Sequence, residues 1–141
     1  MAFERVKENL ERRGYQVRTF ATAAGAADYL DGAIDGATVG FGGSVTLQQM
    51  GLAERLGTHN QVTWHWQSGA EVLPQAAQTQ VYVTSVNGLV ESGEIVNIDG
   101  VGNRVSGMFY GHQRVYFVIG RNKLSPTLEE ALHRSLSVPI R

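Results

Sequence analysis

Ala37-Thr38-Val39-Gly40-Phe41-Gly42-Gly43-Ser44-Val45-Thr46-Leu47 changes character halfway along, and that change decides the fold class. Residues 37–41 read as a short buried strand, the paired glycines as a tight turn, and residues 45–56 as a helical segment that Gly57 closes. A strand that runs through a glycine turn straight into a helix is the repeating unit of layered α/β proteins. Downstream, residues 61–66 and 80–86 read as further strands, separated by a helix near residues 71–77. The run Arg114-Val115-Tyr116-Phe117-Val118-Ile119 is apolar and β-branched, as expected of a central parallel strand. Residues 105–110 are ambiguous.

Upstream, Phe3, Val6 and Leu10 recur at helical spacing among charges, and Gly14 follows as a stop signal. Residues 16–20 alternate like a strand, and residues 23–34 form an alanine-rich helix with Ala27, Leu30 and Ile34 on one face. At the other end Ser125 is placed to cap, and Pro126 to open, a last helix. Glu129 and Glu130 would lie in its first turn, with Leu128, Ala131, Leu132 and Leu136 on its buried face. Ser92-Gly93 marks a β-hairpin. There is no internal repeat, low-complexity segment or linker, so residues 1–141 are read as one domain.

Composition narrows the function. At 141 residues and 43% hydrophobic, the chain is long enough for a real core. Twelve Lys and Arg against 13 Asp and Glu leave a formal charge of -1, which argues against a broad nucleic-acid footprint. The absence of cysteine removes disulfides, thiolate nucleophiles and iron–sulfur ligands, so no cofactor is expected on this chain. The charged N-terminus and the lack of an apolar run of ~20 residues point to a cytoplasmic protein with no membrane contact.

Three polar clusters follow strands, where open α/β sheets bind ligands. In the first, Gly42, Gly43, Ser44 and Thr46 stand at a helix start, whose outward amides favour an anion; a plain turn with Ser44 as N-cap is the alternative. The second joins Asn87 to the block Asn97-Ile98-Asp99-Gly100-Val101-Gly102-Asn103-Arg104. That block holds an acceptor, an amide and a cationic fork between glycines, the makings of a polar binding rim. Asn87 could instead close an Asx turn, and Asp99 could cap a helix over residues 101–103. The third is Gly120-Arg121-Asn122-Lys123, suited to a carboxylate or phosphate, or else a surface turn with solvated bases. His59, His65, His112 and His133 lack zinc-site spacing, so no metal is expected. Trp64-His65-Trp66 puts two indoles on one strand face, which suggests core or subunit contact and with it a homodimer.

Taken in order, Gly42-Gly43-Ser44-Val45-Thr46-Leu47, Ser85-Val86-Asn87, Gly93-Glu94-Ile95-Val96-Asn97-Ile98-Asp99-Gly100-Val101-Gly102-Asn103-Arg104-Val105 and Val118-Ile119-Gly120-Arg121-Asn122-Lys123 closely resemble the LUD domain of lactate-utilization proteins. The resemblance implies a three-layer α/β/α fold of the NagB/RpiA/CoA-transferase type with a mostly parallel sheet. It also implies a glycine loop set against a small anionic ligand, and a part in oxidising lactate to pyruvate alongside iron–sulfur partner subunits. It transfers no catalytic residue. The family's Asn-Ala-Ile-Thr stands here as Asn87-Gly88-Leu89-Val90, losing a hydroxyl, and its Gly-Pro-Lys as Gly111-His112-Gln113, losing a charge. The chain ends at residues 137–141 without the cysteine-bearing tail of many relatives, so a truncated or reduced variant is expected.

Two functions are therefore expected as alternatives. In one, a small carboxylate or phosphate-bearing ligand is bound by Gly42, Gly43, Ser44, Thr46, Asn87, Gly100, Asn103, Arg104, Asn122 and Lys123, with Asp99 as candidate acid/base for polar chemistry. In the other, the chain is a non-catalytic scaffold that docks redox partners.

Overall fold

The computed structural model describes residues 3–99 and 102–136. Helix α1 (Phe3–Arg12) buries Val6 and Leu10, and α2 (Ala23–Ala33) is capped by Thr22, whose hydroxyl accepts from Gly25 N at 3.1 Å. Strand β1 (Thr38–Phe41) leads through Gly42-Gly43 into α3 (Val45–Gln49) and α4 (Leu52–Leu56). The expected single helix over residues 45–56 is thus two short ones. Gly51 divides them, since its φ of 62° is left-handed and interrupts the helical hydrogen bonds.

Strand β2 (Gln61–Thr63) is followed by the one-turn α5 (His65–Ser68), a 3-10 turn at Ala70–Val72 and α6 (Leu73–Ala76). Next come β3 (Val81–Thr84), the hairpin of β4 (Gly88–Val90) and β5 (Ile95–Val96), and α7 (Asn103–Phe109). Strand β6 (Arg114–Phe117), a 3-10 turn at Arg121–Lys123, β7 (Leu124–Ser125) and α8 (Leu128–Leu136) complete the described chain. The main sheet is parallel throughout, in the order β2-β1-β3-β6, and helices flank it. A smaller sheet, β5-β4-β7, joins the antiparallel hairpin to a parallel third strand. The principal core holds Val39, Phe41, Leu47, Leu52, Leu56, Trp64 and Val83, and a second cluster sets Val6 and Leu10 of α1 against Leu89. Val90, Val96 and Ala131 form a third, which seats α8 on the small sheet.

Several expectations need correction. Residues 16–20 are extended but pair with no strand. Their alternation comes from packing, with Val17 joining the second cluster while Phe20 and Arg18 lie on the ring of Tyr29 at 5.6 and 4.9 Å. Strand β6 is an edge strand, not a central one. Its run is apolar because both faces have cover: Tyr116 and Val118 meet the main core, Ile119 the second cluster, and Phe117 the ring of Tyr15. Residues 64–66 leave the sheet at Thr63, yet Trp64 and Trp66 still meet, stacked at 5.4 Å and 19°. Trp64 is 2% exposed and packs on Phe41, which makes it core within its own chain.

At the last helix the cap is Thr127, whose hydroxyl accepts from Glu130 N at 3.2 Å, while Ser125 is buried in β7. Ala131 and Ser135 form the buried face, and Leu128 and Leu132 are 45% and 43% exposed. The side chain of Leu136 lies outside the described residues, as do Gly100 and Val101. Among the described residues no helix is long and apolar enough to cross a membrane.

Candidate functional site

Because the main sheet is parallel, its strands deliver their following residues to one end. Gly42-Gly43-Ser44 follow β1, Trp64-His65-Trp66 follow β2, and Ser85-Val86-Asn87 follow β3. A cavity of about 260 Å³ opens there, lined by Gly43, His65, Trp66, Ala70, Leu73, Asp99, Asn103 and Arg104. This is the carboxyl end of the sheet, where the topology leaves a crevice.

Arg104 organises the site. Its Nη1 donates to the Gly43 carbonyl at 2.8 Å, and its Nη2 donates to Asn87 Oδ1 at 2.7 Å and to the Ile98 carbonyl at 2.8 Å. All three acceptors are neutral oxygens. Its Nε is buried and has no hydrogen-bond partner among the described residues, and burial lowers the guanidinium pKa against the opposing pull of Asp99. One arginine thus ties the glycine turn, the exit of β3 and the polar block 97–104 together, and keeps its buried Nε–H without a partner among the described residues.

Asp99 and Asn87 serve the same tie. Asp99 Oδ2 accepts from the backbone N–H of Arg104 at 2.6 Å and of Val105 at 3.1 Å, so it caps α7. The helix begins later than the expected residues 101–103, after Gly102 turns the chain with a left-handed φ of 81°. Asn87 Oδ1 accepts from Ile98 N at 2.8 Å as well as from Arg104. Asp99 and Asn103 nonetheless line the cavity, so capping and lining fall on the same segment.

The glycine turn is closely covered. A Cβ on Gly42 would lie 2.5 Å from Thr84 Oγ1 and 2.9 Å from Tyr82 Oη; one on Gly43 would lie 3.0 Å from the Trp66 indole. These glycines are required by the side chains pressed against them. Ser44 is buried, and its Oγ accepts from Leu47 N at 3.2 Å, the N-cap of α3. Thr46 is half-buried in the first turn and does not line the cavity. Nor do Asn122 and Lys123: Asn122 is exposed, and the neighbouring Arg121 guanidinium lies 5.1 Å over Phe3 of α1. The structure therefore brings the first two clusters together and leaves the third on the α1 side. Gly100 lies outside the described residues.

His65, Trp66 and Tyr82 are the residues that sequence reasoning missed. His65 lines the cavity, and its Nδ1 is buried without a hydrogen-bond partner among the described residues. Burial pulls its pKa down and outweighs the nearby Asp99, so the ring is neutral at pH 7. The Tyr82 hydroxyl, beside Gly42, is likewise buried with no partner among the described residues, and burial pushes its pKa up, keeping it protonated. His65 was missed because residues 61–66 read as one strand; with β2 ending at Thr63, the rule that selected Asn87 reaches His65 as well. Among the described residues, no group of three or more His, Cys, Asp or Glu could hold a metal.

Comparison with known proteins places this arrangement. No curated protein and no solved structure matches the chain. The profile of the LUD domain, however, matches residues 3–139, which include every element that builds the cavity. With the match spanning nearly the whole sequence and the Arg104 tie lying inside it, the chain belongs to the LUD-domain family.

Proposed function

We propose that this chain binds a small carboxylate or phosphate-bearing ligand in the cavity beside Arg104, and that it serves lactate utilization in company with iron–sulfur subunits. The observation that carries the reading is Arg104 itself: a cation half-buried at the carboxyl end of a parallel sheet and, among the described residues, hydrogen-bonded only to neutral oxygens, with Nε unpartnered. Such a group favours an incoming anion, because the low-dielectric surroundings strengthen the attraction that water would screen. Asn103 adds an amide, and neutral His65 a hydrogen-bonding ring that can give or take a proton. The family's association with lactate utilization supports the pathway assignment. These 141 residues contain no cysteine, so electrons would pass through partner-held clusters.

The test is calorimetric titration of the purified protein with pyruvate, lactate and glycerol 3-phosphate, repeated on Asn103→Ala and Arg104→Gln. Binding in the millimolar range or tighter, weakened by both substitutions while circular dichroism stays native, is the expected result. Absence of any heat or thermal shift with all three compounds would refute a ligand role.

The exposed leucines of α8 favour a second reading, that of a scaffold. Leu128 and Leu132 lie one turn apart on a face the sequence expected to be buried. Co-purification with iron–sulfur subunits that is lost in Leu132→Glu, with ligand titrations silent, would decide for the scaffold.

A further inference from the structure

The cavity beside Arg104 has a lining of two kinds. Arg104, Asp99, Asn103 and His65 make up its polar lining, and Trp66, Ala70 and Leu73 its apolar lining. Trp66 is held in place by its stack on the buried Trp64 and by the edge of the His65 ring at 6.3 Å. A ligand held by the polar lining alone would leave the apolar lining wet.

The charges limit the ligand further. Arg104 contributes one positive charge and Asp99 one negative charge to the same small volume, while burial keeps His65 neutral. A single added negative charge can settle on the guanidinium. A second would meet Asp99 at short range in a poorly screened space, where like charges repel strongly. The glycine turn adds no cation to the cavity: Gly43 lines it beside Trp66, and the side chains of Thr84, Tyr82 and Arg104 crowd Gly42.

We propose, building on the ligand reading above, that the cavity takes a singly charged carboxylate with a compact apolar tail: the carboxylate against Arg104, the tail against Trp66 and Leu73, and an uncharged polar substituent against His65. Phosphate dianions are excluded by Asp99. The acid fits better as its tail grows to cover the indole, until the cavity is full.

Calorimetric titration of the full chain with lactate, 3-phenyllactate, inorganic phosphate and glycerol 3-phosphate, at a pH of about 8.5 where both phosphates are dianions, tests this. Phenyllactate should bind about tenfold more tightly than lactate, the order of gain expected from burying an aromatic tail. Trp66→Ala and Leu73→Ala should each reduce that ratio, and two variants guard against one that fails to fold. Neither phosphate compound should compete with phenyllactate in the wild type. Both should begin to do so in Asp99→Asn, whose amide oxygen can still cap α7. Phosphate binding as tight as lactate, or equal affinity for lactate and phenyllactate, would overturn the proposal while leaving the ligand reading intact. Silence from all four compounds would overturn both.

Discussion

The two ends of the main sheet differ in how far their polar groups are satisfied. At the amino end, around residues 36–38, 57–61 and 80, the groups satisfy one another. Asn60 Oδ1 accepts from Ala37 N at 3.0 Å while its Nδ2 donates to the carbonyls of Ile34 and Leu56; Gln80 and Thr38 exchange backbone and side-chain bonds. His59 sits between Asp31 and Asp35 at 2.6 and 2.8 Å, and Arg55 joins Asp28 and Asp31. At the carboxyl end, His65 Nδ1, Arg104 Nε and Tyr82 Oη are buried without partners among the described residues. An unpartnered buried polar group costs stability, so the gathering of three at the carboxyl end, against His112 Nε2 before β6 at the amino end, marks where a ligand is expected. The open hollow at the amino end is larger, about 500 Å³, but its lining is already hydrogen-bonded. Satisfaction, not size, distinguishes the two.

The contrast can be broken most forcefully at Arg104. Arg104→Ala removes three hydrogen bonds and leaves the Gly43 carbonyl, Asn87 Oδ1 and Ile98 carbonyl short of a donor. A loss of roughly 3–5 kcal/mol in urea unfolding is expected, together with loss of ligand binding. Gly42→Ala comes next, because its Cβ would intrude on Thr84 Oγ1 and the Tyr82 hydroxyl. A penalty of about 1–3 kcal/mol should appear as a lowered melting temperature. Ser44→Ala should cost about 1 kcal/mol through the lost cap, without the wholesale loss of ligand binding expected of Arg104→Ala.

Two histidine substitutions sharpen the comparison by differing in kind. His65→Gln should leave the unfolding midpoint nearly unchanged, since no hydrogen bond of the Nδ1 is lost, but should weaken ligand binding. His59→Gln should destabilise slightly and with a defined pH dependence. Hydrogen bonds to Asp31 and Asp35 raise the His59 pKa above its usual 6.5. Its contribution is therefore complete below that value and disappears as pH rises through the raised folded value. Asp31, lowered chiefly by its bond to His59, acts in the opposite sense: its share is present above the usual 3.8 and is lost as pH falls through the lowered value. The difference in melting temperature between wild type and His59→Gln should be largest between those limits and small throughout, because the cluster is solvent-screened. A difference that persisted unchanged at pH 10 would contradict this assignment.

Particular residues show how far the sequence could be read. The strand, glycine turn and helix start at residues 38–45 were legible because local patterns there agree with their packing. The hairpin at Ser92-Gly93 was equally clear, with Gly93 at a φ of 105°. Legibility failed where one pattern has two causes. Residues 16–20 alternate because they pack on Tyr29 and the second cluster without joining a sheet, and β6 is apolar because loops and helices cover an edge strand. Leu128 and Leu132 looked like core by spacing alone, yet Ala131 and Ser135 let α8 approach β4 closely and leave the leucines outside.

The site divides in the same way. Local sequence offered capping as one of two readings for Ser44 and Asp99, and it placed a glycine turn at Gly102 and the residues after parallel strands at one end of a sheet. Capping and turn formation depend on neighbours within a few residues, so they are written locally. Only the tertiary structure decided that Arg104 would reach Gly43, 61 positions away, that His65 would join the cavity, and that Lys123 would not line it. Those outcomes depend on strand order and on what fills the space above each glycine, which no local stretch of the chain specifies.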